Sequence, residues 1–224
     1  MFRGSAPYIR MHRGATMVVH IPGEVLESAC FQNLMDDVAL LSLLGVQLVL
    51  VVGSRPQVDS RLDSLGITRA FCGNSRVTDM QTLRVCKEAA GYVRFEVESA
   101  LSRGARRSSA HNVAGGNFFS AQPIGVRGGV DFGYTGEVRR IEIDKIRSRL
   151  SQGDVVQLTC IGFSGSGEVF NVDTESLASE CAAQLGASKL IFVTEGQQLV
   201  DIETGTPVQN LRLSEAKTLL EFHE

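Results

Sequence analysis

Two periodicities alternate along this chain. Runs that are apolar at nearly every position occur at 16–21 (TMVVHI), 47–52 (QLVLVV) and 189–194 (KLIFVT), as expected of strands buried on both faces of a parallel sheet. Between them, apolar residues recur three and four apart. Leu34, Val38, Leu41 and Leu44 mark a helix over 31–44, stopped by Gly45. The same pattern predicts helices over 8–14, 57–65, 79–101, 141–150 and 175–185. Thr78 or Asp79 caps the longest, and Gly186 closes the last. Another strand is predicted over 155–161, and Pro22 with Gly23 reads as a turn. Glycine pairs at 115–116 and 128–129 break 112–142 into short strands, a hairpin or small meander set into the frame. This order of elements predicts an α/β fold, a three-layer αβα sandwich with a mainly parallel open sheet. Gly53-Ser54-Arg55-Pro56 joins the second strand to a helix, the kind of junction where α/β proteins place ligands.

Composition narrows the function classes. The 224 residues, 43% hydrophobic and 21% charged, carry a net charge of -3, so no basic surface for nucleic acid is expected. The arginine run at 103–107 reads as a solvated loop. No apolar stretch approaches the roughly 20 residues of a membrane span. Five cysteines without a CxxC and four scattered histidines predict no metal site and fit a reducing compartment. The N-terminus MFRGSAPYIR has neither the apolar core of a signal peptide nor a long Arg/Ser-rich leader, and SEAKTLLEFHE at the other end reads as a helix cut short. The chain is therefore expected to be a fragment.

Six texts in order, TMVVHIPGEVL, LVLVVGSRPQVDSRLDSLGI, RVTD, GVDFGYTGEV, GEVFNVDTESLA and GASKLIFVTEG, resemble the amino-acid kinase family in its acetylglutamate branch. The resemblance runs from about residue 5 to the end. It implies an eight-stranded, mainly parallel sheet between helices, with a lid hairpin over an acidic amino acid. Within that branch the chain looks like the N-acetylglutamate synthases rather than the kinases. Where the kinases carry a lysine and paired glycines on the first strand, this chain has His20, Pro22 and Gly23. The fixed cation is gone, and Pro22 removes a backbone N–H that could hold phosphate. The glycine run after the second strand is replaced by Gly53-Ser54-Arg55-Pro56, in which Arg55 fills space that a kinase leaves for substrate. The aspartate that organises the catalytic lysines becomes Glu175.

What the resemblance implies is a kinase-like regulatory domain over 15–224, truncated at its C-terminus, behind a helix over 1–14 that serves oligomer assembly and effector binding. The acetyltransferase domain would be absent. The intact enzyme would transfer acetyl from acetyl-CoA to L-glutamate, opening arginine biosynthesis. Acetyl-CoA would be a substrate of the missing domain, and this part would bind no cofactor and hold no catalytic residue. L-arginine is the expected effector, at Tyr8 of the Pro7-Tyr8-Ile9 text and at Lys189. Arg76 and Asn171, with Gly53 and Arg55, match positions that hold L-glutamate or N-acetylglutamate. A homo-oligomer is expected. An active acetylglutamate kinase and a ligand-free assembly module are the alternatives.

Plainer roles stand beside these. His20 can be a satisfied core histidine. Arg55 and Arg76 can pair with Asp59 or Asp79, and Tyr8 can pack on a neighbouring subunit. Lys189 can be an ordinary strand-opening lysine, and Glu175 a helix N-terminal charge. Tight turns would account for Gly23, Gly53 and Gly136. The text GNFFSAQPIGVRGGVDFGYTGEVRRI looks nearest to synthases of plants and algae and is close to bacterial ones. It implies the chloroplast stroma in the first case and the cytoplasm in the second.

Overall fold

The computed structural model of the chain describes residues 2–104 and 112–194, with 196, 200, 205–208, 210–212, 214 and 216–217 beyond them. Two compact units divide it, residues 1–193 and 194–224. In the second, the described residues include an antiparallel bridge between Val200 and Pro207. The helix expected at the extreme C-terminus lies mostly outside the described residues.

In the first unit, β1 (Thr16–Ile21) and β2 (Gln47–Val52) occupy the predicted segments. They join β10 (Val155–Leu158), β5 (Val113–Gly115) and β13 (Lys189–Phe192) in a five-stranded parallel sheet ordered β13-β1-β2-β10-β5. Strand alternation splits its apolar residues between two helical layers. Met17, Val19, Ile21, Leu48, Leu50 and Val52 pack with residues of α2 (Phe31–Leu43) and α4 (Met80–Gly104). Val18, Val49, Val51, Val156 and Leu158 pack with residues of α5 (Ile143–Ser151) and α6 (Thr174–Leu185). Both faces are covered, which is why these strands read as unbroken apolar runs.

A second, four-stranded sheet contains β6 (Phe119–Pro123), β9 (Thr135–Ile141), β11 (Ile161–Phe163) and β12 (Val169–Val172). It curls until β11 meets β6 at the pair Phe163 and Ser120. Apart from two small hairpins, the described residues thus form two sheets where the resemblance implied one of eight strands. The predicted strand over 155–161 breaks at Thr159 and Cys160 because β10 and β11 belong to different sheets. β12 was not foreseen, being short and following the polar turn 164–168.

Helix ends follow capping chemistry. Asp79, not Thr78, caps α4, accepting the Thr82 N–H at 2.7 Å. Asp173 caps α6 by accepting the Ser176 N–H at 2.8 Å, and Gly186 ends that helix at φ 65°. α3 runs Arg55–Ser64, two residues earlier than its apolar pattern, because Pro56 fits a first helical turn. After β1, Gly23–Glu27 forms a turn of 3₁₀ helix instead of a bare turn. α1 spans Phe2–His12. Two small hairpins complete the unit: β3 (Phe71–Cys72) with β4 (Ser75–Arg76), absent from the sequence reading, and β7 (Val126–Arg127) with β8 (Val130–Asp131). No helix among the described residues is long and apolar enough to cross a membrane.

Candidate functional site

Because β1, β2 and β10 are parallel, their C-terminal ends deliver Ile21–Gly23, Val52–Ser54 and Leu158–Cys160 to one edge of the sheet. The N-termini of α3 and α6 reach the same edge, where helix N–H groups commonly receive anions. Close approach shapes this edge. A Cβ on Gly53 would stand 3.3 Å from both the Gly23 nitrogen and Thr174 Oγ1. One on Gly23 would meet Gln57 Oε1 at 2.5 Å, and one on Gly136 would meet Phe170 Cβ at 2.6 Å. None of the three has a positive φ. Packing, not tight-turn geometry, requires glycine there, which corrects the sequence expectation.

His20 is buried near the end of β1. Its Nε2 lies 3.0 Å from Thr174 Oγ1, and its ring centroid is 5.4 Å from that of Phe192. Burial pushes the imidazole below its ordinary value, against the opposing pull of Glu175, Asp173 and Glu24. Burial thus favours the uncharged imidazole at neutral pH, as in a core histidine. The α6 N-terminus is already occupied by its own Asp173. Glu175 is exposed in the first turn of that helix. Pro22, at the same strand end, has no N–H to give to a ligand.

The second part of the edge is built on Arg76. Its guanidinium donates through Nη2 to Asp59 and lies under the Phe71 ring, 4.6 Å from the centroid. Its carbonyl accepts from Thr135 Oγ1 at 2.6 Å, and Thr135 Oγ1 sits 2.9 Å from Thr78 Oγ1. Asn171 Nδ2 donates to that same Thr78 oxygen at 3.2 Å. Arg76 and Asn171 are thus tied to one buried hydroxyl pair. Ser54 Oγ and Cys160 Sγ, 3.5 Å apart, bridge β2 to the β10–β11 turn. Burial pushes the Cys86 thiol up to about 12 and Cys160 upward too, while the Arg76 charge pulls both back.

Arg55 goes elsewhere. It is exposed, donating to the Asn74 carbonyl at 3.3 Å, so it braces the β3–β4 hairpin and does not fill the strand-end space. Lys189 opens β13 beside Met17, while Phe192 stands beside His20. Lys189 therefore belongs to the opposite end of the sheet, where α1 feeds into β1. Tyr8 on α1 is exposed. Ser54, Asp59, Thr78, Thr135, Cys160 and Thr174 were not picked out as site residues. Asp59 was expected only as a pairing partner for Arg55 or Arg76, and Thr78 only as a possible helix cap, while nothing in the hydrophobic pattern marked Ser54, Thr135, Cys160 or Thr174.

Comparison with known proteins matches this architecture. Residues 15–222 match the amino acid kinase family. The chain is similar to the amino-acid acetyltransferase of Photobacterium profundum, 38% identical over 224 residues, covering 98% of this chain and 51% of that protein. It spans about half the length of the curated relatives it matches. Among solved structures it is similar to N-acetylglutamate synthase from Neisseria gonorrhoeae complexed with coenzyme A and L-arginine. The TM-score is 0.90 and the identity 36%, over 98% of this chain and 52% of that one. The same enzyme complexed with coenzyme A and N-acetyl-glutamate gives a TM-score of 0.89 at 36% identity, over 98% and 50%. With the αβα layering, the parallel sheet and the family match running together from β1 onward, the chain belongs to the amino acid kinase family.

Proposed function

We propose that residues 15–224 form the kinase-like, amino-acid-binding domain of an N-acetylglutamate synthase, which in the intact protein transfers acetyl from acetyl-CoA to L-glutamate. The observation that carries the reading is His20. A buried, neutral imidazole among Glu24, Asp173 and Glu175 occupies the strand end where phosphoryl transfer needs a cation. On this reading the domain does not phosphorylate, and its role is regulatory. Similarity to amino-acid acetyltransferases supports the acetyl-transfer assignment. The coenzyme A complexes of the Neisseria gonorrhoeae enzyme support acetyl-CoA as a substrate of the intact protein.

Arg76 and Asn171, held on Thr78 and Thr135, form the pocket for the carboxylate of L-glutamate or N-acetylglutamate. Gly53, packed against Gly23 and Thr174, belongs to the same edge of the sheet. The complex of the Neisseria gonorrhoeae enzyme with N-acetyl-glutamate lends this support. L-arginine binds at the other end of the sheet, where Tyr8 and Lys189 sit on elements flanking the start of β1. The arginine complex of that enzyme supports this reading. A phenol there can stack on a guanidinium and a lysine can hold a carboxylate. Residues 1–14, with Tyr8 and Met11 exposed, serve homo-oligomer assembly. The bacterial relatives favour the cytoplasm over a plastid.

Two assays test the reading on the intact protein. Glutamate-dependent release of CoA from acetyl-CoA, altered by arginine, is expected. ATP-dependent phosphorylation of N-acetylglutamate without CoA release would overturn it. In the intact protein too, arginine should raise the melting temperature, and Tyr8→Ala with Lys189→Ala should remove that rise.

A further inference from the structure

The two terminal nitrogens of Arg76 have unequal surroundings. Nη2 donates to Asp59 Oδ1, whereas Nη1 is buried with no hydrogen-bond partner among the described residues. Asp59 is itself shared, because Arg69 Nη1 lies 3.5 Å from its second oxygen. Arg69 also grips both oxygens of Asp63. Asp63, Arg69, Asp59 and Arg76 thus make a row of alternating charge whose formal sum is zero. The row runs inward, from side chains 56% and 40% exposed at Asp63 and Arg69 to 19% at Asp59 and 7% at Arg76. Phe71 covers one face of the inner guanidinium, and Thr135 holds the backbone beneath it. The arginine is locked with one buried donor still unpaired, a costly arrangement unless an acceptor arrives.

Resting on the carboxylate reading of Arg76 given above, we propose that Asp59 is the positioning residue of this pocket. It holds Arg76 by Nη2, withholds that nitrogen from any ligand and presents Nη1 alone. An incoming carboxylate is then bound through one nitrogen and against the Asp59 charge. Binding is weaker than a free, two-pronged arginine would give, so the ligand exchanges readily. The outer pair Arg69 and Asp63 sets how tightly Asp59 is engaged, since Arg69 draws part of the Asp59 charge away from Arg76.

The test is isothermal titration of the protein with N-acetyl-L-glutamate, comparing wild type, Asp59→Asn, Arg69→Gln and Arg76→Ala, each first shown to be folded by its thermal melt. Asp59→Asn keeps the size and an acceptor for Nη2 while removing the charge. It should bind roughly three- to tenfold tighter. Arg69→Gln, a change at an exposed side chain, should bind about twofold weaker or worse, because Asp59 then presses fully on Arg76. An Asp59 with only a structural role predicts unchanged or weaker binding in Asp59→Asn. That result overturns the positioning role even where Arg76→Ala abolishes binding. Wild-type binding retained in Arg76→Ala overturns the carboxylate pocket itself. So does the absence of binding in both wild type and Asp59→Asn.

Discussion

Gln157 offers a sharp test of how this core is held. It stands on β10 between Leu50 of β2 and Gly115 of β5. Val156 and Leu158 face α5 and α6, so strand alternation turns Gln157 toward the apolar α2 and α4 layer. The residue is 2% exposed, and neither its amide oxygen nor its nitrogen has a hydrogen-bond partner among the described residues. Protein mutational data put the cost of burying such an unpaired group at about 1–3 kcal/mol. Leucine fills nearly the same space. Its branch lies one carbon nearer the backbone, which leaves the far end of the site unfilled by about 20 Å³, worth about 0.5 kcal/mol at ~24 cal/mol per Å³. Gln157→Leu should therefore stabilise the protein by a net ~0.5–2.5 kcal/mol. Urea unfolding followed by circular dichroism reads this as a higher midpoint at unchanged slope. The melting temperature should rise by about 2–4 °C per kcal/mol. A loss of about 1 kcal/mol or more would refute the reasoning. It would mean that the amide is satisfied in solution, as by an ordered water, and contributes to the fold.

Further expectations follow from the edge of the sheet and from the thiols. His20 is held neutral by burial, so the unfolded chain binds its proton more readily than the folded one. Its contribution to stability is complete above about pH 6.5 and is lost as pH falls through the lower folded value. Urea midpoints of His20→Gln should therefore decline less between pH 7.5 and 5.5, on the order of a few tenths of a kcal/mol or more, and equal slopes would sink the argument. Cys30 and Cys72 are exposed while Cys86, Cys160 and Cys181 are buried, with Cys86 and Cys181 pushed up to about 12. An aromatic disulfide reagent at pH 8 should titrate two thiols quickly and the other three only after unfolding. Gly136→Ala should cost about 2 kcal/mol or more, because the new Cβ would lie 2.6 Å from Phe170 Cβ and 3.0 Å from the Gln122 carbonyl. A variant as stable as wild type in a thermal melt would show that β12 can yield.

The hydrophobic pattern alone determined the core of this protein. Residues 16–21 and 47–52 are strands to the residue, because a strand buried between two helical layers must be apolar on both sides and its ends are marked by the first polar or turn-forming position. The capping Asp79 was visible as a candidate, since a cap acts within its own first turn, whereas Asp173 emerged as a cap only in the folded chain. Family texts in register supplied the branch, along with the replacements at His20, Pro22 and Glu175. Tertiary structure decided what depends on partners distant in sequence. The β10–β11 break follows from strands joining different sheets, and the short β3–β4 hairpin has too few residues to show a period. Glycine at 23, 53 and 136 answers to neighbours that only folding brings close. Above all, whether Arg76 is free, paired or half-paired depends on Asp59, seventeen positions earlier on α3. Charge pairing across elements leaves no periodic trace in a sequence, so only the folded geometry could show one nitrogen held and the other left open.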